Sequence, residues 1–339
     1  MSAPVAFPGV RLHLVTGKGG TGKTTVAAAL ATALARSGKR VLLVEVEGRQ
    51  GIAQTFDVPP LPEGEVRVLG DRSGGEVWGL SVDAKAALLE YLQTFYKLGR
   101  AGSVLERFGA IDFATTIAPG VRDVLLIGKV YEAVGRKAGG RRSRGDLVYD
   151  AVVLDAPPTG RVVRFLNVNA EVAGVARVGP IRSQADSITR MLHSPATVTH
   201  VVTLLEEMPV QETVDALTDI AAIGVPLGAV FVNQVHEPLL DEAGLERALK
   251  AGNGRGRSAL ARTVGEDLAT AGVKVTDVMV AGLVTEAVDH AERVTLQAEQ
   301  RDVVVATGRP VIDLPWLVDG IEGGGLSTLA DVLAEAGVG

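Results

Sequence analysis

The sequence predicts an α/β protein built on a doubly wound, mostly parallel sheet, and three observations carry that prediction. Strand-like and helix-like segments alternate from one end of the chain to the other, as crossover helices on a parallel sheet require. The strand candidates are nearly continuous apolar runs, Arg40 to Val46 being one, because a strand covered on both faces has no polar side. The first strand candidate, Arg11 to Thr16, leads through a glycine-rich loop into a helix of Ala and Leu, Thr24 to Arg36, closed by Ser37-Gly38.

The remaining elements follow in order. Pro59 to Gly75 is rich in Pro and Gly and reads as a surface excursion, and Val77 to Val82 is the next strand. Residues 84–134 are mainly helical in pattern, broken near Gly99 to Ser103 and at Pro119-Gly120. Arg136 to Gly145 carries five basic residues and three glycines and is expected to be a solvated, mobile loop. Leu147 to Leu154 is a strand ending in Asp155, and helices fill Thr159 to about Met191. His200 to Leu205 and Gly228 to Gln234 are strands joined by a helix from Pro209 to Ile220. Helical patterns recur at Glu242 to Lys250, Ala259 to Ala271 and Thr285 to Val305, before a strand at Pro310 to Leu314 and a helix at Leu326 to Ala336. The sum is one domain over 1–339 with about seven strands, and with a helical subdomain from roughly 84–134 and 161–195.

Composition excludes several classes. At 47% apolar and 22% charged residues the chain can bury a large core. A net charge of -6 and only 4% aromatics argue against nucleic acid as a partner. With no cysteine there is no disulfide, thiolate metal site or thiol nucleophile. The N-terminus lacks a signal-peptide pattern and no run approaches ~20 apolar residues. A cytoplasmic protein is expected. The five histidines show no metal-ligand spacing and read as surface or satisfied core residues.

Chemistry concentrates in the first loop, Gly17-Lys18-Gly19-Gly20-Thr21-Gly22-Lys23-Thr24-Thr25. Gly17, Gly22, Lys23 and Thr24 meet the pattern G-x-x-x-x-G-K-[ST] between a strand and a helix start. Glycines there let backbone N–H groups converge on phosphate oxygens, and the helix start adds partial positive charge. Lys23 is expected to reach the β- and γ-phosphates of a nucleoside triphosphate and Thr24 to ligate Mg²⁺. Asp155, ending a buried strand, is a candidate to support Mg²⁺ through water.

Lys18 is a second cation inside the loop. With it, the loop resembles the deviant phosphate loop of the MinD, ParA, nitrogenase-iron-protein and ArsA group, in which the extra lysine reaches the partner's phosphates across a dimer, much as an arginine finger does. The stretch Asp155-Ala156-Pro157-Pro158-Thr159-Gly160-Arg161 resembles the ArsA switch II pattern Asp-Thr-Ala-Pro-Thr-Gly-His. The likeness continues through Arg164-Phe165-Leu166, Val202 to Glu206 with Glu212-Thr213, Val232-Asn233-Gln234 and Pro310 to Gly320. This resemblance, and not the composition, implies that Asn233 holds adenine and that Pro315 and Trp316 pack beside the base, favouring ATP or ADP. It also implies a homodimer, or a heterodimer with a paralogous ATPase, acting on a protein or membrane-protein partner.

Departures from the family pattern are as informative. The switch I aspartate that positions the attacking water is matched by Glu47, one methylene longer. A catalytic group misplaced by about 1 Å costs ~100-fold in rate, so slow or partner-dependent hydrolysis is expected, with Glu45 as a substitute base. Lacking cysteine, the chain has neither the arsenite thiol site nor the zinc clamp of family members. The resemblance thus implies an ATP-hydrolysing dimeric switch that closes around nucleotide and opens after hydrolysis. Two other readings stand beside it: a non-hydrolysing nucleotide sensor that serves as the regulatory subunit of a hetero-complex, and a ParA- or MinD-like partitioning ATPase. The membrane-positioning form of the second is weakened by a C-terminal segment, Gly325 to Glu335, without Lys or Arg, and the DNA-partitioning form would need a basic face outside Arg136 to Arg144.

Overall fold

Burial on both faces turns the apolar runs into a parallel sheet. The computed structural model describes residues 6–46, 48, 50–83, 87, 119–139, 146–173 and 180–338. Its strands are β1 (Leu12–Gly17), β2 (Arg40–Glu45), β3 (Val66–Gly70), β4 (Glu76–Ser81), β5 (Ala151–Asp155), β6 (Thr197–Thr203), β7 (Leu227–Val235) and β8 (Val311–Pro315). They form one sheet in the order β3-β4-β2-β5-β1-β6-β7-β8, parallel except between β3 and β4. Alternate residues divide the core. Leu12, Leu14, Leu42, Val44, Val152 and Leu154 face one side, and Val15, Val41, Leu43, Val153, Val202 and Phe231 the other.

The first side is covered by α3 (Pro119–Gly135), α4 (Thr159–Leu166) and α6 (Pro180–Leu192), with the short α5 (Val168–Ala173) between. The second is covered by α1 (Lys23–Arg36), whose every residue from Val26 to Ala35 is buried, and by α11 (Gly325–Glu335) packed against it. The short helix α2 (Gly51–Thr55) follows β2, and α7 (Glu207–Ala222) joins β6 to β7. Beyond β7, α8 (Glu242–Gly252), α9 (Arg257–Thr270) and the 30-residue α10 (Asp277–Ala306) close their own small core around Ala248, Leu260, Val284 and Ala291.

Two expectations change. The segment read as a surface excursion contains an eighth strand, β3, the antiparallel edge partner of β4. Its residues are only partly buried, so no apolar run marks it, but Glu65 just before it is docked, accepting from Tyr149 Oη and Arg136 Nη1, each at 2.6 Å. Arg136 is thereby tied to the core side of the basic segment read as solvated, and residues 140–145 lie outside the described residues. Helix α10 starts at Asp277, eight residues before the predicted Thr285, where Thr276 Oγ1 accepts from Met279 N at 3.2 Å. Its first turn presents Val278 and Met279 to solvent, and so lacks the buried stripe that periodicity detects. The expected helices over 84–118 lie outside the described residues.

Two of the histidines meet in the core. His13 of β1 and His200 of β6 stack, with His13 Nδ1 3.2 Å from His200 Nε2. Because Ala229 N donates to His200 Nδ1 at 3.2 Å, the His200 proton is on Nε2. His200 therefore donates to His13 Nδ1, and the His13 proton is on Nε2. Burial, with a smaller push from the Lys39 charge, lowers His13 to about 3, and burial takes His200 well below its ordinary value. Both folded pKa values lie below the unfolded value of about 6.5, so unfolding takes up protons as pH falls through that value. Stability is complete above it and is lost on acidification. Integrating over two such groups gives a loss of about 2 kcal/mol between pH 6.5 and 5.5, readable by denaturant unfolding. The carboxylates whose pKa is lowered, Glu132 and Glu212 among them, titrate below this window, so a flat profile there would contradict the neutral pair.

Candidate functional site

The C-terminal ends of β1, β5 and β7 carry the predicted residues to one crevice, where an open α/β sheet places its ligands. β1 ends at Gly17, where a Cβ would lie 2.2 Å from the Val202 carbonyl oxygen of β6; only glycine allows that approach. Gly19, Gly20 and Thr21 make the turn, closed by Thr21 Oγ1 donating to Lys18 O at 2.9 Å. Gly22, at φ +85°, is the N-cap of α1 and offers no side chain to its first N–H groups. The first turn of α1 has no acidic residue, so the positive end of the helix dipole faces the loop uncompensated.

Asn233 of β7 holds the loop from the side. Its Nδ2 donates to Thr21 O at 2.9 Å, and a Cβ on Gly22 would fall 2.4 Å from that nitrogen. Asn233 is buried within the strand and acts as a tie to the loop rather than a strand-end cap. Beside it lies a cavity of about 190 Å³ lined by Gly22, Thr25, Asn233, Gln234, Pro315 and Trp316 among others. Gln234 adopts φ +56° where the β7–β8 register breaks. The β8 end is held by Trp316 N donating to Val235 O at 2.9 Å, and the half-exposed Trp316 ring stacks on His236 at 4.7 Å.

The two lysines diverge. Lys23 Nζ donates to Lys18 O at 3.3 Å, on its own loop. Lys18 Nζ pairs with Glu212 Oε1 of α7 at 2.8 Å, and Glu212 Oε2 accepts from Thr159 Oγ1 at 3.1 Å. The hydrogen bond from Lys18 is the largest of the influences that lower the Glu212 pKa. Phosphate loop, switch II and α7 are thus linked through one carboxylate. The sequence pointed to the Glu212-Thr213 stretch only by resemblance, since the two partners are 194 and 53 positions away.

Thr24 Oγ1 donates to Asp155 Oδ2 at 2.6 Å. A hydroxyl and a carboxylate meeting at the start of α1 are the hard oxygen donors Mg²⁺ takes, and their number suits an ion that keeps most of its waters. Among the described residues no group of three His, Cys, Asp or Glu could hold a metal by itself. The switch II segment is anchored by Thr16 Oγ1 donating to Pro157 O at 2.7 Å and Ala156 N to Val15 O at 2.9 Å.

Glu47 lies outside the described residues. Glu45 does not offer the free base suggested for it. It is buried, its Oε1 accepts from Gln50 N at 2.9 Å and Ser81 Oγ at 2.8 Å, and its Oε2 accepts from Ile52 N at 3.1 Å. Both oxygens are used to fasten the start of α2.

A parallel sheet whose first strand runs through a glycine loop into an uncapped helix, with Thr24 and Asp155 at the rim, defines a phosphate-loop nucleotide-binding fold. Residues 10–196 match the model of the anion-transporting ATPase (ArsA) family. ATPase BagA of Mycobacterium tuberculosis is 49% identical over 335 residues, 99% of this chain and 96% of its own length. ATPase ASNA1 homolog 1 of Paramecium tetraurelia is 27% identical over 155 residues, 45% of this chain and 42% of its own. The chain belongs to the ArsA family of ATPases. No helix among the described residues is long and apolar enough to cross a membrane.

Proposed function

We propose that the chain is an ATP-hydrolysing dimeric switch, which closes over nucleotide and opens after hydrolysis to drive a partner. The observation that carries this reading is the Thr24–Asp155 contact, set in a loop that also holds two lysines with separate directions. In this reading the backbone of Gly17, Gly19, Gly20, Thr21 and Gly22 cradles the phosphates of ATP or ADP, with Lys23 on the β- and γ-phosphates. Thr24 holds Mg²⁺ directly and Asp155 through water; the ion, when bound, neutralises charge on the phosphoryl oxygens. Asn233, Thr25, Pro315 and Trp316 take the base in the 190 Å³ cavity. Lys18 leaves Glu212 to reach the partner's phosphates, and Glu47 orients the attacking water.

The partner is a second copy or a paralogous ATPase subunit, in the cytoplasm. The described helices α3, α5 and α6 pack on one another, which supports a helical subdomain on the nucleotide core. A non-hydrolysing sensor is the second reading. The full engagement of Glu45 favours it, because the task of positioning water then falls on the longer Glu47 alone.

ATP turnover measured across protein concentration separates the two, with Lys23→Ala as the blank. A dimeric switch shows specific activity rising several-fold with concentration and absent in the blank. Saturable ATP binding with no turnover at any concentration rejects the switch for this chain alone and moves the catalytic role to a hetero-complex.

A further inference from the structure

At the other end of the sheet from the phosphate loop, a cavity of about 460 Å³ opens between the segment leading into β1, the end of α1 and the end of α11. That volume lies in the range of small-molecule sites. Its polar wall consists of Arg11, His13, Lys39 and Asp150, and its apolar wall of residues such as Phe7 and Val338.

The wall is rich in donors and short of acceptors. His13 is 2% exposed, and with Nδ1 accepting from His200 it presents a fixed Nε2–H. No hydrogen bond from that nitrogen forms within the chain among the described residues. Arg11 spends Nη2 on the carbonyls of Val134 and Tyr149, while its buried Nε has no hydrogen-bond partner. Lys39 adds an ammonium near enough to His13 to act on it. The one carboxylate among the described lining residues, Asp150, already accepts from Arg40 N at 2.7 Å and sits in the field of Arg11. Among those residues two cations against one anion leave a single net positive charge.

We propose that this cavity binds a small organic monocarboxylate, its headgroup on Lys39 and the His13 Nε2–H and its short apolar chain along Phe7 and Val338. A carboxylate supplies the acceptors the donors lack, and burial of its tail supplies affinity that inorganic phosphate cannot gain here. A dianion would carry one charge more than the site balances. The ligand class is set by the lining and is independent of the ATPase reading.

The test is a titration of the full-length protein with hexanoate, following the imidazole resonances of His13 in a ¹⁵N-labelled sample. The expected result is a saturable shift at His13, matched neither by hexanol nor by inorganic phosphate, and about tenfold weaker in Lys39→Met, which loses a charge-assisted hydrogen bond. Lys39 lies outside the nucleotide site, so a loss in this variant is not a loss of the phosphate loop. No saturable shift with hexanoate overturns the proposal, as does an equal response to phosphate or to hexanol. Unchanged affinity in Lys39→Met overturns the assignment of the headgroup.

Discussion

Replacing Lys18 with alanine lowers ATP turnover about 1000-fold while ADP affinity stays within a few-fold, if the lysine acts across a dimer. The magnitude is that of a cation supplied in trans to a phosphoryl transition state, on the order of 10³–10⁵. The contact it must leave behind is weak by comparison. Lys18 and Glu212 are both partly exposed, at 29% and 36%, and such pairs contribute about 0–1 kcal/mol, at most about fivefold in an equilibrium. In the proposed dimer the trans interaction would therefore prevail once nucleotide is bound, and the ion pair would set only how readily the lysine is released. Glu212→Gln should move the other way, raising turnover a few-fold or leaving it unchanged. Single-turnover rates for both variants check this. Equal turnover in Lys18→Ala and the unaltered protein would remove the dimeric switch, and a 1000-fold loss in Glu212→Gln would make the carboxylate part of the chemistry instead.

The second large effect concerns the Thr24–Asp155 contact. Thr24→Ala and Asp155→Asn are each expected to reduce turnover about 10–100-fold and to raise the Mg²⁺ concentration for half-maximal rate, as losses around a metal site do. The two groups touch at 2.6 Å and are proposed to serve one ion. Combining the substitutions should thus cost little more than the worse single one, because residues that act as a unit are strongly non-additive. The measurement is turnover against Mg²⁺ for the two single variants and the double. Losses that multiply would mean that Thr24 and Asp155 serve different steps.

What the sequence disclosed follows from how local each signal is. The phosphate loop was readable because a strand, a loop and a helix start are contiguous, so that Gly17 to Thr25 carries its geometry in nine neighbouring residues. Asp155 was readable because a buried strand ends on it. The Lys18–Glu212–Thr159 link was not, since no spacing rule joins a loop, a switch and a helix that meet only through sheet order. β3 escaped because an edge strand buries little and alternates weakly. The start of α10 escaped because its apolar residues face solvent. Glu45 illustrates the converse error: a carboxylate at a strand end looked available, and the fold spends both its oxygens on backbone and Ser81. The His13–His200 pair needed two strands of distant sequence placed side by side at β1 and β6.

Glu45 brings α2 so close to α1 that Gly51 rests on Thr24: a Cβ on Gly51 would lie 2.9 Å from Thr24 Cγ2 and 3.6 Å from its hydroxyl. The order in which the two positions can change is therefore constrained. Serine at 24 removes the methyl group and keeps the hydroxyl, after which alanine at 51 has room. Alanine at 51 arriving first brings its methyl to 2.9 Å from that of Thr24, so the Thr24 side chain must shift against its hydrogen bond to Asp155. In a lineage drifting by single substitutions the first route is the easier one, so a homologue with alanine at 51 is expected to carry serine at 24.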